Sequence, residues 1–118
     1  MTETMCEARC LPCTGLDFSN LYAWNDLRPP TPDYFHLTGE VFVPNPGVDP
    51  LLVQTEPQGP NPTILLLDLY LCQKPGFWPQ VLVWKPVSFD KKIIGKYAEV
   101  QIMCEGKPIA TVKVDDVF

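Results

Sequence analysis

The sequence is poor in basic residues, and this limits the partners that the protein can have. It contains 9 lysines and arginines against 14 acidic residues, which gives a net charge of -5. Nucleic-acid-binding proteins neutralise phosphates with a basic stripe, and anionic membrane surfaces attract clusters of lysine and arginine. The longest basic run here is Lys91-Lys92. We therefore expect neither a nucleic-acid partner nor a membrane partner.

The chain also lacks long hydrophobic runs. Its longest strongly apolar run, Ile64 to Leu67, ends at Asp68, far short of the roughly 20 residues of a membrane span. Residues 1–13 have neither a basic start nor a continuous apolar stretch, so they do not resemble a secretory signal. The cysteine count is 5, an odd number, which argues against a complete set of intrachain disulfides. These features predict a cytoplasmic protein with reduced thiols.

Familiar catalytic motifs are missing as well. The sequence has no G-x-S-x-G, no H-E-x-x-H, no phosphate-binding loop and no G-x-G-x-x-G. His36 is the only histidine, and the acids near it in sequence are Asp33 and Glu40. On a strand, Glu40 would lie about 13 Å from His36. We interpret His36 as a solvated strand residue, lean towards a protein that is not an enzyme, and expect no cofactor.

What the sequence does contain is a series of strand patterns separated by turn residues, among them 14 prolines and 7 glycines. Apolar and polar residues alternate with the two-residue period of half-buried strands. The segments that we interpret as strands are 16–27, 34–43, 51–55, 63–72, 80–89, 97–104 and 109–114. Residues 16–27 also fit a short helix. Pro86 indicates that its strand lies at an edge or carries a bulge.

This order of elements predicts an all-β fold with little or no helix. Strands do not alternate with helices, so a parallel α/β sheet is not expected. We predict a single antiparallel β-sandwich, immunoglobulin-like, or a small barrel, with six to seven strands. Residues 1–15 are predicted as a flexible cysteine-bearing tail, and residues 16–118 as the β domain.

The sharpest local pattern is Cys6-x3-Cys10-x2-Cys13. Over this segment alone, the chain resembles the three-cysteine motif with which radical S-adenosylmethionine enzymes bind an iron–sulfur cluster. Pro12 stands where that family usually has an aromatic residue. The family's α/β barrel is also much larger than this β-rich chain, so we do not predict its activity.

A simpler metal site at Cys6, Cys10 and Cys13 is the second interpretation of this pattern. Three thiolates can hold zinc together with a fourth ligand. The candidates for that ligand are His36, Cys72 and Cys104. Cysteines in apolar strands are usually small buried hydrophobic residues, and incidental thiols on a tail are the simpler explanation.

The best candidates for a binding surface are aromatic residues. Phe77 and Trp78 follow a Pro-Gly turn, and large exposed aromatic residues at a loop tip usually contact something. Trp84 is in register with Trp78 and Leu82 on the predicted strand. Because tryptophan is enriched in binding hot spots, this stripe predicts a contact surface for another protein or a second copy of the chain. The structural alternative is that residues 16–27 or the proline-rich link after them cover the stripe.

Three further residues extend this hypothesis. Tyr22 and Trp24 would add stacking surfaces if the ligand were a carbohydrate or another small molecule. Asp68 interrupts the most apolar strand, and a buried carboxylate is costly unless it is paired. Asp68 is therefore either a polar group in a binding face or an acceptor that pins a loop. Our prediction is a non-enzymatic interaction module, with a ligand-binding β domain or a cysteine-based metal protein as alternatives.

Overall fold

The computed structural model describes residues 9–13 and 16–118, and all regular structure in this part of the chain is β-strand. The strands are β1 (Arg9–Leu11), β2 (Phe18–Asp26), β3 (Asp33–Val43), β4 (Val48–Gln54), β5 (Ile64–Gln73), β6 (Val83–Ile93), β7 (Glu99–Cys104) and β8 (Lys107–Val117). The predicted all-β class is confirmed. The part of the chain that the structure describes contains no candidate for a membrane-spanning helix.

Seven strands form one nearly closed barrel in the order β4-β5-β7-β8-β2-β3-β6. The two terminal strands of this order, β4 and β6, approach each other and are joined by side chains. Lys85 Nζ lies 3.6 Å from Asp49 Oδ1, and Lys91 Nζ donates a hydrogen bond of 3.0 Å to Gln54 Oε1. The fold is therefore the small barrel, one of the two architectures that the sequence left open.

Two neighbouring pairs of strands are parallel, β5 with β7 and β2 with β8. The other pairs are antiparallel. The sequence analysis predicted an antiparallel sheet, and these two pairs correct that detail. Alternation of apolar and polar residues shows which side of a strand is buried, but the alternation is the same for both strand directions. The pattern could not reveal the parallel pairs.

The core fills the inside of the barrel. Phe35, Leu37, Val41 and Val43 of β3 are all buried, as the alternation along this strand predicts. Leucines and valines of β5 and β7 complete the core in the same way. The residues that alternate with them point outward and form the surface that a partner could contact.

Residues 9–11 form β1, which pairs with the sheet, and lie in the segment that the sequence analysis assigned to a tail. β1 pairs with the end of β5 and places Cys10 opposite Cys72. Cys13 is buried and disulfide-bonded to Cys104, and Cys72 is disulfide-bonded as well. The expectation of reduced thiols is therefore wrong for Cys13, Cys72 and Cys104. Residues 1–8 and 14–15, the remainder of the predicted tail, lie outside the described residues.

Residues 16–27 form a strand rather than a helix. The pairing of β2 with β3 shifts between Ser19 and Tyr22, where Asn20 adopts a φ of 55°. Leu21 packs over Gly39 of β3 at this bulge, and a Cβ at position 39 would lie 2.5 Å from Leu21 Cδ2. A glycine at this position therefore allows the two strands to pair around the bulge.

The fully buried side chain of Asn25 ties β2 to two other parts of the barrel. Its amide nitrogen donates to Tyr97 O at 2.8 Å and to Asp116 Oδ1 at 2.9 Å. Its oxygen accepts a hydrogen bond of 3.2 Å from the Tyr97 N–H. Asn25 thus joins the loop before β7 to the end of β8.

We expect acid to weaken this end of the barrel. Lys96 Nζ donates a hydrogen bond of 2.8 Å to Asp116 Oδ2. This bond, and to a smaller extent the bond from Asn25, lowers the pKa of Asp116 below its ordinary value of 3.8. The unfolded chain then binds the proton more readily than the native one. The stabilisation is present above the ordinary pKa and is lost as the pH falls through the lowered pKa.

Urea titrations across the acid range test this expectation. Asp116→Asn should lose less stability than the wild type as the pH falls from about 5 to about 2. Asp115→Asn, at the exposed neighbouring position, should follow the wild type. If wild type and Asp116→Asn lost the same unfolding free energy over this pH range, the result would contradict the argument.

Candidate functional site

The outer side of three adjacent strands, β2, β3 and β6, carries a group of aromatic side chains. We call it the aromatic face, and its members are Tyr22, Trp24, Tyr34, His36, Phe42 and Trp84. Strand pairing brings them together in two groups, since Trp24 lies opposite His36 and Phe42 lies opposite Trp84. The two groups are about 20 Å apart along β3. All six alternate with the core residues of their strands and therefore point away from the core.

Four rings form a row across β2 and β3. The ring centroids of Tyr22 and Trp24 are 5.1 Å apart with an interplanar angle of 23°. The centroids of Trp24 and His36 are 5.0 Å apart at 34°, and those of His36 and Tyr34 are 6.1 Å apart at 21°. The first and third contacts are stacked and the Trp24–His36 contact is tilted, all at separations usual for aromatic pairs. Because side chains stand roughly perpendicular to a sheet, the row presents mainly ring edges to solvent.

His36 is held in this row by an acid from β6. Its Nδ1 lies 2.6 Å from Asp90 Oδ1, and the two residues are directly opposite each other in the β3–β6 register. The sequence analysis considered only Asp33 and Glu40, which are near in sequence. Asp90 is 54 positions away, and only the strand pairing brings it to His36. The contact fixes the imidazole and adds a carboxylate to the aromatic face.

A second aromatic contact lies at the other end of the face. The rings of Phe42 and Trp84 are 4.7 Å apart. The neighbouring Leu82 is exposed, and Phe77 is fully exposed on the loop before β6. Leu82 and Phe42 also line an open apolar pocket of about 410 Å³ beside this contact. The face therefore continues into an apolar margin at this end of the barrel.

Trp78 does not share the surface of Trp84, although the sequence analysis placed both on one strand. β6 begins only at Val83, and Trp78 lies in the irregular loop before it. Its indole packs on Gly47 in the turn between β3 and β4, and its Nε1 donates a hydrogen bond of 3.0 Å to Lys74 O. The predicted stripe of Trp78, Leu82 and Trp84 is thus divided between a packed residue and two exposed ones.

The packing of Trp78 gives a mutational prediction. A Cβ at position 47 would overlap the indole, so Gly47→Ala should displace Trp78 and lower the free energy of unfolding by about 2 kcal/mol. A Cβ at Gly59 meets Leu66 Cδ1 at an ordinary 3.4 Å, and Gly59→Ala should change stability by less than about 0.5 kcal/mol. Urea unfolding followed by tryptophan emission measures both effects. Equal stability of the two variants would refute the packing argument.

Asp68 lies on the outer side of β5, away from the aromatic face. It is half-buried and accepts a hydrogen bond of 2.9 Å from Thr55 Oγ1, just after the end of β4. This contact matches the structural alternative, in which Asp68 is an acceptor that pins a loop. It gives no sign of a binding role for this carboxylate.

The predicted cysteine ligands are only partly described. Cys6 lies outside the described residues, and Cys10 belongs to β1. Cys13 is bonded to Cys104, one of the residues considered as a fourth ligand. His36, another of them, is on the aromatic face and is paired with Asp90.

Comparison with known proteins adds no assignment. No family model, curated protein or solved structure matches this chain. The argument for function therefore depends on the surface geometry of the barrel itself.

Proposed function

We propose that this protein is a non-enzymatic binding module that docks onto another protein, or onto a second copy of itself, through the aromatic face. One observation carries the proposal: six aromatic side chains lie on the outer side of three adjacent strands. Tyr22 and Trp84 are each 45% exposed, and Tyr34 is 41% exposed. Tyrosine and tryptophan dominate protein-binding hot spots, and grouped apolar exposure of this kind is typical of interaction sites.

Polar groups around the rings support the same function. The His36–Asp90 pair lies within the face, and Glu40 of β3 accepts a hydrogen bond of 3.1 Å from Asn20. Lys92 lies opposite Tyr34 in the β3–β6 register. A protein interface usually has an aromatic centre and a polar rim, and this surface offers both.

The stacking of the rings favours a protein over a carbohydrate. A sugar that stacks on an aromatic residue lies flat on an open ring face. In the row, Trp24 is covered by Tyr22 on one side and by His36 on the other. The exposed ring edges and polar groups suit side chains and backbone of a protein partner better than a sugar ring.

A cytoplasmic location stays a prediction. The sequence analysis tied it to reduced thiols, whereas Cys13 and Cys104 form a disulfide and Cys72 is disulfide-bonded too. Disulfides are typical of oxidising compartments. The proposed docking function does not depend on the compartment, because the aromatic face contains no cysteine.

Paired substitutions test the docking function. We expect Tyr22→Ser with Trp84→Ser to weaken partner binding by about 30-fold or more, the effect of losing a hot spot of about 2 kcal/mol. The control is Ile94→Ser with Phe118→Ser, which removes two large and even more exposed apolar side chains outside the face. The face variant should still unfold cooperatively in urea, after losing about 1–3 kcal/mol with its two ring contacts, and the control should keep the wild-type midpoint.

The measurement is quantitative capture from an extract of the source cells, together with sedimentation of the purified protein over a range of concentrations. Proteins that bind the wild type and the control but not the face variant would support docking through this surface. Self-association that only the face variant loses would support the same surface. Identical behaviour of the face variant and the wild type in both measurements would contradict the proposal.

A further inference from the structure

A second group of reactive side chains lies at the end of the barrel where the chain after β1 meets the turn between β7 and β8. Sγ of Cys13, Sγ of Cys104 and a carboxylate oxygen of Glu105 all lie within 4.8 Å of one another. Both cysteines are buried, while Glu105 is exposed. This group is separate from the aromatic face and has no role in the proposed docking function.

The backbone holds Glu105 in an unusual conformation. Glu105 and Gly106 form the tight turn of the β7–β8 hairpin, with φ values of 50° and 82°. Glycine adopts positive φ freely, but a glutamate rarely does, and turns of this kind prefer asparagine, aspartate or glycine at the first position. The turn brings Glu105 Oε2 to 3.9 Å from Cys104 Sγ. A disulfide sulfur has no proton to donate to this carboxylate, so the contact gains nothing in the oxidised form.

We propose that Cys13, Cys104 and Glu105 bind one zinc ion when the Cys13–Cys104 disulfide is reduced. Two thiolates and a carboxylate are common zinc ligands, and thiolates select zinc over hard cations such as magnesium. Ligand atoms on one tetrahedral zinc lie about 3–4 Å apart, so the group needs only small movements to close on the ion.

The surroundings leave room for the ion and for its fourth ligand. A cavity of about 590 Å³ adjoins the group and is lined by Cys13, Glu105 and Asp68, among others. It gives a path to Cys13, whose sulfur is bonded to that of Cys104. Three protein ligands and one water form an open zinc site, and the cavity supplies the space for that water.

A low-molecular-weight thiol such as glutathione reduces the disulfide form to the dithiol form that binds zinc. Two thiol molecules transfer two electrons and two protons to the Cys13–Cys104 bond and become one small-molecule disulfide. Zinc then displaces both protons, because its ligands are thiolates. The disulfide and the zinc site therefore exclude each other, and the redox state of the compartment selects between them.

Metal titration of the full chain in its oxidised and reduced forms tests the site. Reduced protein should bind one zinc per chain, and cobalt in its place should give thiolate-to-cobalt charge-transfer absorption; oxidised protein should bind none. Glu105→Gln should weaken zinc binding by at least about tenfold, and Cys104→Ser should abolish the charge-transfer band. The matched control is Glu56→Gln, an exposed glutamate elsewhere in the chain, which should bind like the wild type.

Three outcomes would overturn the site. They are reduced protein that takes up no stoichiometric zinc, affinity unchanged by Glu105→Gln, and a Cys104→Ser variant that binds as well as the wild type, which would place the ion on other cysteines. If reduction unfolds the chain, circular dichroism with and without zinc still tests the site. Zinc should then restore the β signal, because metal binding is linked to folding; a signal that stays lost would also overturn the site.

Discussion

Loss of the Cys13–Cys104 disulfide in metal-free buffer should lower the free energy of unfolding by about 3–5 kcal/mol. The two cysteines are 91 positions apart, so the bond closes a loop that contains most of the chain. Chain-entropy estimates give about 4–5 kcal/mol for a loop of this length. This is comparable to a large part of the net stability of a small domain.

The measurement is urea unfolding of the variant in which Cys13→Ala and Cys104→Ala are combined. The control is wild-type protein under oxidising conditions, in which the bond is intact. A loss of less than about 1 kcal/mol would show that the bond does not constrain the unfolded chain as proposed. Zinc added to reduced wild type should recover part of the lost stability, because a ligand that binds only the native state stabilises it.

Asn25→Leu should cost about 3–4 kcal/mol, since each buried polar group that loses its partner costs about 1–3 kcal/mol. Asn25 is fully buried. The substitution leaves the Tyr97 N–H, the Tyr97 carbonyl and one Asp116 oxygen without this partner. Leucine has the branched shape of asparagine without its polar atoms, and its larger volume adds a packing cost to the loss of the hydrogen bonds.

The matched control for Asn25 is Gln101→Leu. Gln101 is a half-buried amide of β7 whose nitrogen donates to Glu99 at 3.1 Å. Removing this contact should cost less than about 1 kcal/mol. Urea unfolding measures the stability of both variants. A similar small loss of unfolding free energy for both would mean that the Asn25 network does not stabilise the barrel.

Strand positions could be predicted because they depend on local alternation. The predicted strand 34–43 corresponds to Asp33–Val43, and 63–72 corresponds to Ile64–Gln73. Pro86 indicated an edge or a bulge, and β6 is indeed a terminal strand of the barrel. The least accurate bounds are those of β6, predicted over 80–89. Its last residues, such as Asp90 and Lys91, are charged because they lie on the outer surface and at the seam with β4.

The site could be predicted only in part. Tyr22, Trp24 and Trp84, which the sequence analysis selected by residue type, lie on the aromatic face. Tyr34 and Phe42 were missed because their importance depends on which strands are neighbours. The order β2-β3-β6 joins segments far apart in the chain, and alternation carries no information about it. The same limit concealed the pairing of Cys13 with Cys104.

Site-specific photo-crosslinking tests the docking surface most directly. A photoreactive amino acid at position 22 or 84 should form a covalent adduct in the source cells, either with another protein or with a second copy of the chain. The same group at position 60, in the exposed loop that packs on the outer side of β5, should form little or none. Mass spectrometry of the joined peptides identifies the contact. Adducts from positions 22 and 84 alone are the result we predict; no adduct from either, or equal adducts from position 60, would contradict the proposed function.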